Sequence, residues 1–113
     1  ANGAKIIVPV TAKEESRFNG SLRLARQIAK GFAWRKMMES GLSLQELTAS
    51  AKTNERDIRF AMRLSMIDPA IVESVLSGKS PEFLTYAFMK KHPIPLLWSD
   101  QRKLYGFEER KQQ

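Results

Sequence analysis

The sequence predicts an all-α fold: a compact bundle of about six short helices containing a helix-turn-helix, preceded by an extended N-terminal arm. Three observations carry this expectation. From Ser21 onward, apolar residues recur at three- and four-residue steps, the period of a helix buried along one side. Helix punctuation is dense, with Ser, Asn or Asp at the starts and Gly or Pro at the ends. Past residue 10, no run reads convincingly as a strand.

Residues 1–20, ANGAKIIVPVTAKEESRFNG, hold one β-prone run at 6–10, interrupted by Pro9. A lone strand has nothing here to pair with, so the segment is expected to be an arm or linker, or the end of an upstream domain. The first residue is not methionine, and the chain is read as processed or as a piece of a longer one. In the first helix, Leu22, Ala25, Ile28, Ala29 and Phe32 form the apolar stripe. Trp34, Met37 and Met38 widen it, and Gly41 stops it. Ser43 opens the second helix, with Glu46 three residues on completing a capping box. Asn54 and Asp57 repeat that logic for the third. Asp68-Pro69 opens the fourth, aspartate as cap and proline at the first helical position, and Gly78 closes it. Ser80-Pro81 is expected to open a fifth in the same way, ended by Pro93 and Pro95. A last short helix is expected over about 97–105, before Gly106. The domain is thus residues 21–107, followed by a polar tail at 108–113.

A chain of 113 residues, 42% hydrophobic, makes one domain with a modest core. No apolar run approaches the roughly 18 to 20 residues of a membrane span. With no cysteine, disulfides and thiolate metal sites are excluded, which fits a reducing compartment. The single histidine, His92, has no second ligand at metal spacing, so no metal is expected. Asp57 with Asp68 and Glu108 with Glu109 are read as caps and solvated tail, not as acid/base pairs. No G-x-G-x-x-G or P-loop is present, so neither a cofactor nor a small-molecule substrate is expected.

Charge is the informative feature. Nineteen basic residues face 12 acidic ones, a net of +7 with a pI near 10.0. Such a balance suggests a polyanionic partner, nucleic acid first and an acidic membrane surface second. The excess is uneven. Residues 21–40 carry Arg23, Arg26, Lys30, Arg35 and Lys36 against Glu39 alone, whereas residues 67–100 carry three basic residues against four acidic ones.

The stretch SLQELTASAKTNERDIRFAMRLS, residues 43–65, has the spacing of a helix-turn-helix: two short helices, a tight joint at Lys52, Thr53 and Asn54, and apolar residues that lock the second across the first. On a wheel of about 100° per residue, Ile58, Ala61, Met62 and Ser65 share one side. Arg56, Arg59, Phe60 and Arg63 fall within about 100° on the other. A purely structural surface helix more often mixes signs there. Two features depart from the motif. Thr48 stands where alanine is usual, and Lys52 stands where glycine is favoured for a left-handed backbone.

The same segment resembles the helix-turn-helix of ParB-type partition and KorB-like repressor proteins, whose trailing pattern is matched by Arg63-Leu64, Ile67, Pro69, Ile71, Leu76 and Gly78. The flanks FAWRKMMESG and HPIPLLWSDQRKLYGF resemble a helical module that follows the catalytic domain in some serine recombinases. The resemblance spans roughly residues 25–107. It implies a module that binds double-stranded DNA sequence-specifically within a larger recombinase-like or partition/repressor protein, with the Asn54 helix in the major groove. Neither a CTP-binding motif nor a recombinase's serine with its arginine cluster is visible, so no catalysis is expected of the chain itself. Under the resemblance, Glu55, Arg56, Arg59 and Phe60 are the base-edge candidates. Arginine would bond guanine. Glu55 would accept from cytosine or simply favour the helix N-terminus. Phe60 would touch a thymine methyl or pack on a neighbouring helix. Lys52, Thr53, Asn54, Arg63, Arg23, Arg26 and Lys30 are the phosphate candidates.

A homodimer is kept as a partner because two-fold DNA sites call for one, although no heptad seam is evident. Location is expected to be cytoplasmic, on the nucleoid if the source is bacterial or phage. The competing expectation is a basic helical protein-interaction module, an adaptor or dimerisation domain without DNA binding.

Overall fold

A computed structural model of the chain describes residues 12–107, with side chains from Ser21 onward. Six helices and no strand occur among the described residues: α1 (Ala12–Glu39), α2 (Leu44–Ala51), α3 (Glu55–Leu64), α4 (Pro69–Leu76), α5 (Tyr86–Lys91) and α6 (Trp98–Leu104). The all-α class is as expected. α1 starts nine residues ahead of Ser21, so helix replaces the expected arm from Ala12. The rest of that arm, residues 1–11, and the tail at 108–113 lie outside the described residues.

α1 is the spine, packing chiefly on α3 and also on α4 and α5. Its buried side is Leu24, Ile28 and Gly31, continued by the half-buried Arg35. These four lie within about 60° on a helical wheel. The stripe expected from hydropathy is therefore rotated by about a quarter turn: Ala29 and Phe32 are exposed. The physical reason is Gly31. A Cβ there would sit 2.6 Å from the Ala61 carbonyl carbon, with the carbonyl oxygen nearer still. The two backbones touch, and a residue with no side chain marks the closest line of the α1–α3 contact.

The caps set the helix starts. Ser43 Oγ accepts the Glu46 N–H at 3.0 Å, and Glu46 Oε1 accepts the Ser43 N–H at 2.8 Å, the expected capping box. Gly41 ends the turn after α1 at φ 117°, a conformation costly to any residue with a Cβ. Asp68 caps α4 through the Ala70 N–H. The fifth helix departs from expectation. Residues 81–84 form only a turn, and Thr85 caps the helix, its hydroxyl accepting the Phe88 N–H at 3.2 Å. Leu84, fully buried just before this cap, holds the turn against the core instead.

The core joins Leu24 and Ile28 of α1 to Leu64, Ile71, Val72, Val75, Leu84, Met89 and Tyr105. A polar staple attaches the last helix. Gln101, buried, accepts the Asp68 N–H with Oε1 at 2.8 Å and donates from Nε2 to the Pro95 carbonyl at 2.8 Å. Arg102 closes the loop by pairing with Asp68.

Candidate nucleic-acid interface

The α2–α3 pair carries the candidate site. Leu47 of α2 is buried, as are Ile58, Ala61 and Leu64 of α3. Their burial orients α3, which presents the opposite side outward. Between the helices, Lys52 adopts the left-handed conformation (φ 57°, ψ 43°), and its N–H donates to the Thr48 carbonyl. Asn54 Oδ1 accepts the Asp57 N–H at 2.8 Å and caps α3. The box is not reciprocal, because Asp57 Oδ2 takes the Thr53 hydroxyl at 2.9 Å instead.

That arrangement decides what the joint offers. Lys52 is exposed and its ammonium has no partner among the described residues. Asn54 is exposed and keeps its amide hydrogens. Thr53 has spent both donors, its N–H on Thr48 and its hydroxyl on Asp57, so of the joint residues it is the poorest phosphate ligand.

On α3, Arg56, Arg59 and Arg63 are all exposed. Arg59 Nη2 lies 3.4 Å from Glu55 Oε1, so two base-edge candidates pair with each other. Both side chains are more than half exposed (66% and 52%), and a wet i,i+4 pair of this kind contributes only about 0.3–0.5 kcal/mol. It therefore holds Arg59 loosely. Arg63 Nη2 donates to the Ile94 carbonyl at 3.0 Å, which uses one of the five guanidinium hydrogens and leaves the others. Phe60 is half-buried, and of its two readings the structure shows packing. Its ring meets Tyr86 edge-on at 5.9 Å, and the Lys90 ammonium sits 5.0 Å from its centroid.

Tyr86 gathers charge that the sequence reading kept apart. Arg23 of α1 stacks over its ring at 4.5 Å, and Lys90 lies 5.9 Å away. Burial pushes the Tyr86 hydroxyl above its ordinary range. The Arg23 cation acts against that and the Asp57 carboxylate adds to it. Arg26 and Lys30 are exposed and follow Arg23 within about 60° of α1's circumference. The Arg23 end of that stripe thus reaches Phe60 of α3 by way of Tyr86.

Lys90 and Tyr86 were missed as site residues. Their four-residue spacing in YAFMKK was visible as an aromatic and a cation on one side of a helix. Which side meets α3 was not. Lys90, one of the three basic residues in 67–100, stands against Phe60. Among the described residues no cluster of three metal-ligating side chains occurs, and no helix is long and apolar enough to cross a membrane.

Compared with protein-family models, with curated proteins and with solved structures, the chain has no match in any of the three.

Proposed function

We propose that the chain binds double-stranded DNA, with α2 and α3 as a helix-turn-helix and α3 as the helix that enters the major groove. The observation that supports this best is the two-sidedness of α3. Ile58, Ala61 and Leu64 are wholly buried while Arg56, Arg59 and Arg63 are exposed together behind a short, capped joint. Arg56 and the loosely held Arg59 read base edges, where two parallel N–H donors suit guanine O6 and N7. Arg63, Lys52 and Asn54 meet phosphates, joined by Arg26 and Lys30 along α1. Glu55 serves the helix N-terminus and steadies Arg59. The module carries no catalytic step and serves a larger recombinase-like or partition/repressor protein in the cytoplasm.

Titration with duplex DNA of random sequence across a salt series tests this. Log affinity should fall steeply with log salt as phosphates are neutralised. Arg59→Ala should cost about 1 to 3 kcal/mol and relax preference at one base position. The fold should be unharmed, since only an exposed pair is lost. Absence of binding at about 50 mM salt, where non-specific electrostatic binding is strong, would sink the proposal. It would favour the second reading, a protein-interaction module, to which an apolar groove beside Phe32 and Trp98 lends support.

A further inference from the structure

An open groove of about 790 Å³ runs between α1, α4 and the start of α6. Phe32, Met66, Leu76 and Trp98 line it and remain 39%, 55%, 47% and 50% exposed. Arg35 at its edge is not a loose charge, because Nη1 donates to Ser65 Oγ at 3.2 Å. The chain entering α6 adds Leu96 and Leu97, exposed to 86% and 59%. With about 200 Å² per large apolar side chain, these six residues present roughly 650 Å² to water. Monomeric proteins rarely leave apolar patches larger than a few hundred Å². A standard interface takes about 800 Å² from each partner, so the patch approaches one half of such an interface.

Two observations select the occupant. First, hollow and ridge are neighbours in the chain: the exposed Leu96 and Leu97 immediately precede Trp98, which walls the groove. A two-fold contact needs this self-complementarity, since each copy must both insert and receive. Second, the charged residues that line the groove are one cation, Arg35, and one anion, Glu73. Two copies of a +7 chain can meet there without opposing their basic faces.

We propose that this face is the interface of a symmetric homodimer, Leu96 and Leu97 of each copy filling the other's groove between Phe32, Met66 and Trp98. Phe32 stands about half a turn around α1 from Arg23, so the dimer leaves the basic stripe of both copies open. The inference stands apart from the DNA reading, because it uses none of the α3 arginines.

Sedimentation equilibrium on the 113-residue chain tests it between about 1 and 100 µM, the weak end of what interfaces of this size deliver. The expected result is a dimer. Leu96→Glu and Met66→Glu alter exposed side chains on the ridge and in the hollow, and should each raise the dissociation constant at least about tenfold. Helical circular dichroism should stay unchanged in both. A chain that is monomeric throughout that range overturns the proposal, and so does a dimer that both variants leave intact.

Discussion

At the residue scale, Lys52 is the most informative position. It is the only non-glycine residue with positive φ among the described residues, and the left-handed region costs a side chain with a Cβ roughly 1 kcal/mol or more. The sequence already marked it as the poorest fit to the motif, and the structure keeps it in that conformation. Lys52→Gly should raise stability by about 0.5 to 1 kcal/mol in thermal unfolding. The same variant tests its phosphate role, because losing one contact should lower the salt slope of DNA binding by about one unit. An unchanged slope would remove Lys52 from the interface. Phe60 teaches the reverse lesson. A wheel places it among the arginines, yet the ring packs on Tyr86, because α5 comes to cover that edge of α3. The sequence left packing and base contact open, and nothing local to α3 chooses between them.

At the element scale, α1 is where hydropathy misleads. The buried line runs through Gly31 and Arg35, residues that a hydrophobicity count scores as neutral or polar, and it leaves Phe32 outside. Close helix approach selects for the smallest residue, not the most apolar. Gly31→Ala should therefore destabilise the fold by about 1 to 3 kcal/mol, the usual cost of overpacking, even though alanine is the better helix former. Urea unfolding measures it, and a neutral or stabilising result would mean that α1 and α3 are less tightly apposed than the Gly31–Ala61 contact indicates. The short caps were far more legible. Ser43 with Glu46, Asn54 and Asp68 each act within a few residues of themselves, so their chemistry is written locally. Ser80-Pro81 carried the same signal and did not open a helix, because burial of Leu84 draws that turn onto the core.

At the scale of the whole molecule, the C-terminal part closes the core. Tyr105 is fully buried against Phe88, with ring centroids 6.2 Å apart, and its hydroxyl has no hydrogen-bond partner among the described residues. Burial pushes that hydroxyl above the ordinary tyrosine value near 10, with the Arg63 cation acting the other way. The unfolded chain then ionises first. This contribution to stability is complete below pH about 10 and is lost as pH rises through the higher folded value. Thermal unfolding followed from pH 8 to 11 should show that alkaline decline. Tyr105→Phe should flatten it, with Tyr86 supplying the remainder. Near pH 7, removing an unpaired buried hydroxyl should cost nothing or stabilise by about 1 kcal/mol. A loss of more than that would show that the hydroxyl has a partner after all.

By itself, the sequence determined the all-α class, the positions of most helix ends and the three arginines that share one side of α3, while the left-handed backbone at Lys52 came from the structure. Those first three rest on residues a few positions apart, where helical period and capping geometry act directly. Tertiary structure alone decided the rotation of α1 about Gly31 and the pairing of Arg63 with the Ile94 carbonyl. It also brought Arg23, Tyr86 and Lys90 together and formed the groove from Phe32, Met66 and Trp98. Apart from Tyr86 with Lys90, neighbours on α5, those contacts join residues about 30 or more positions apart. They depend on which backbones can approach most closely, a property of the packed helices and not of any one of them.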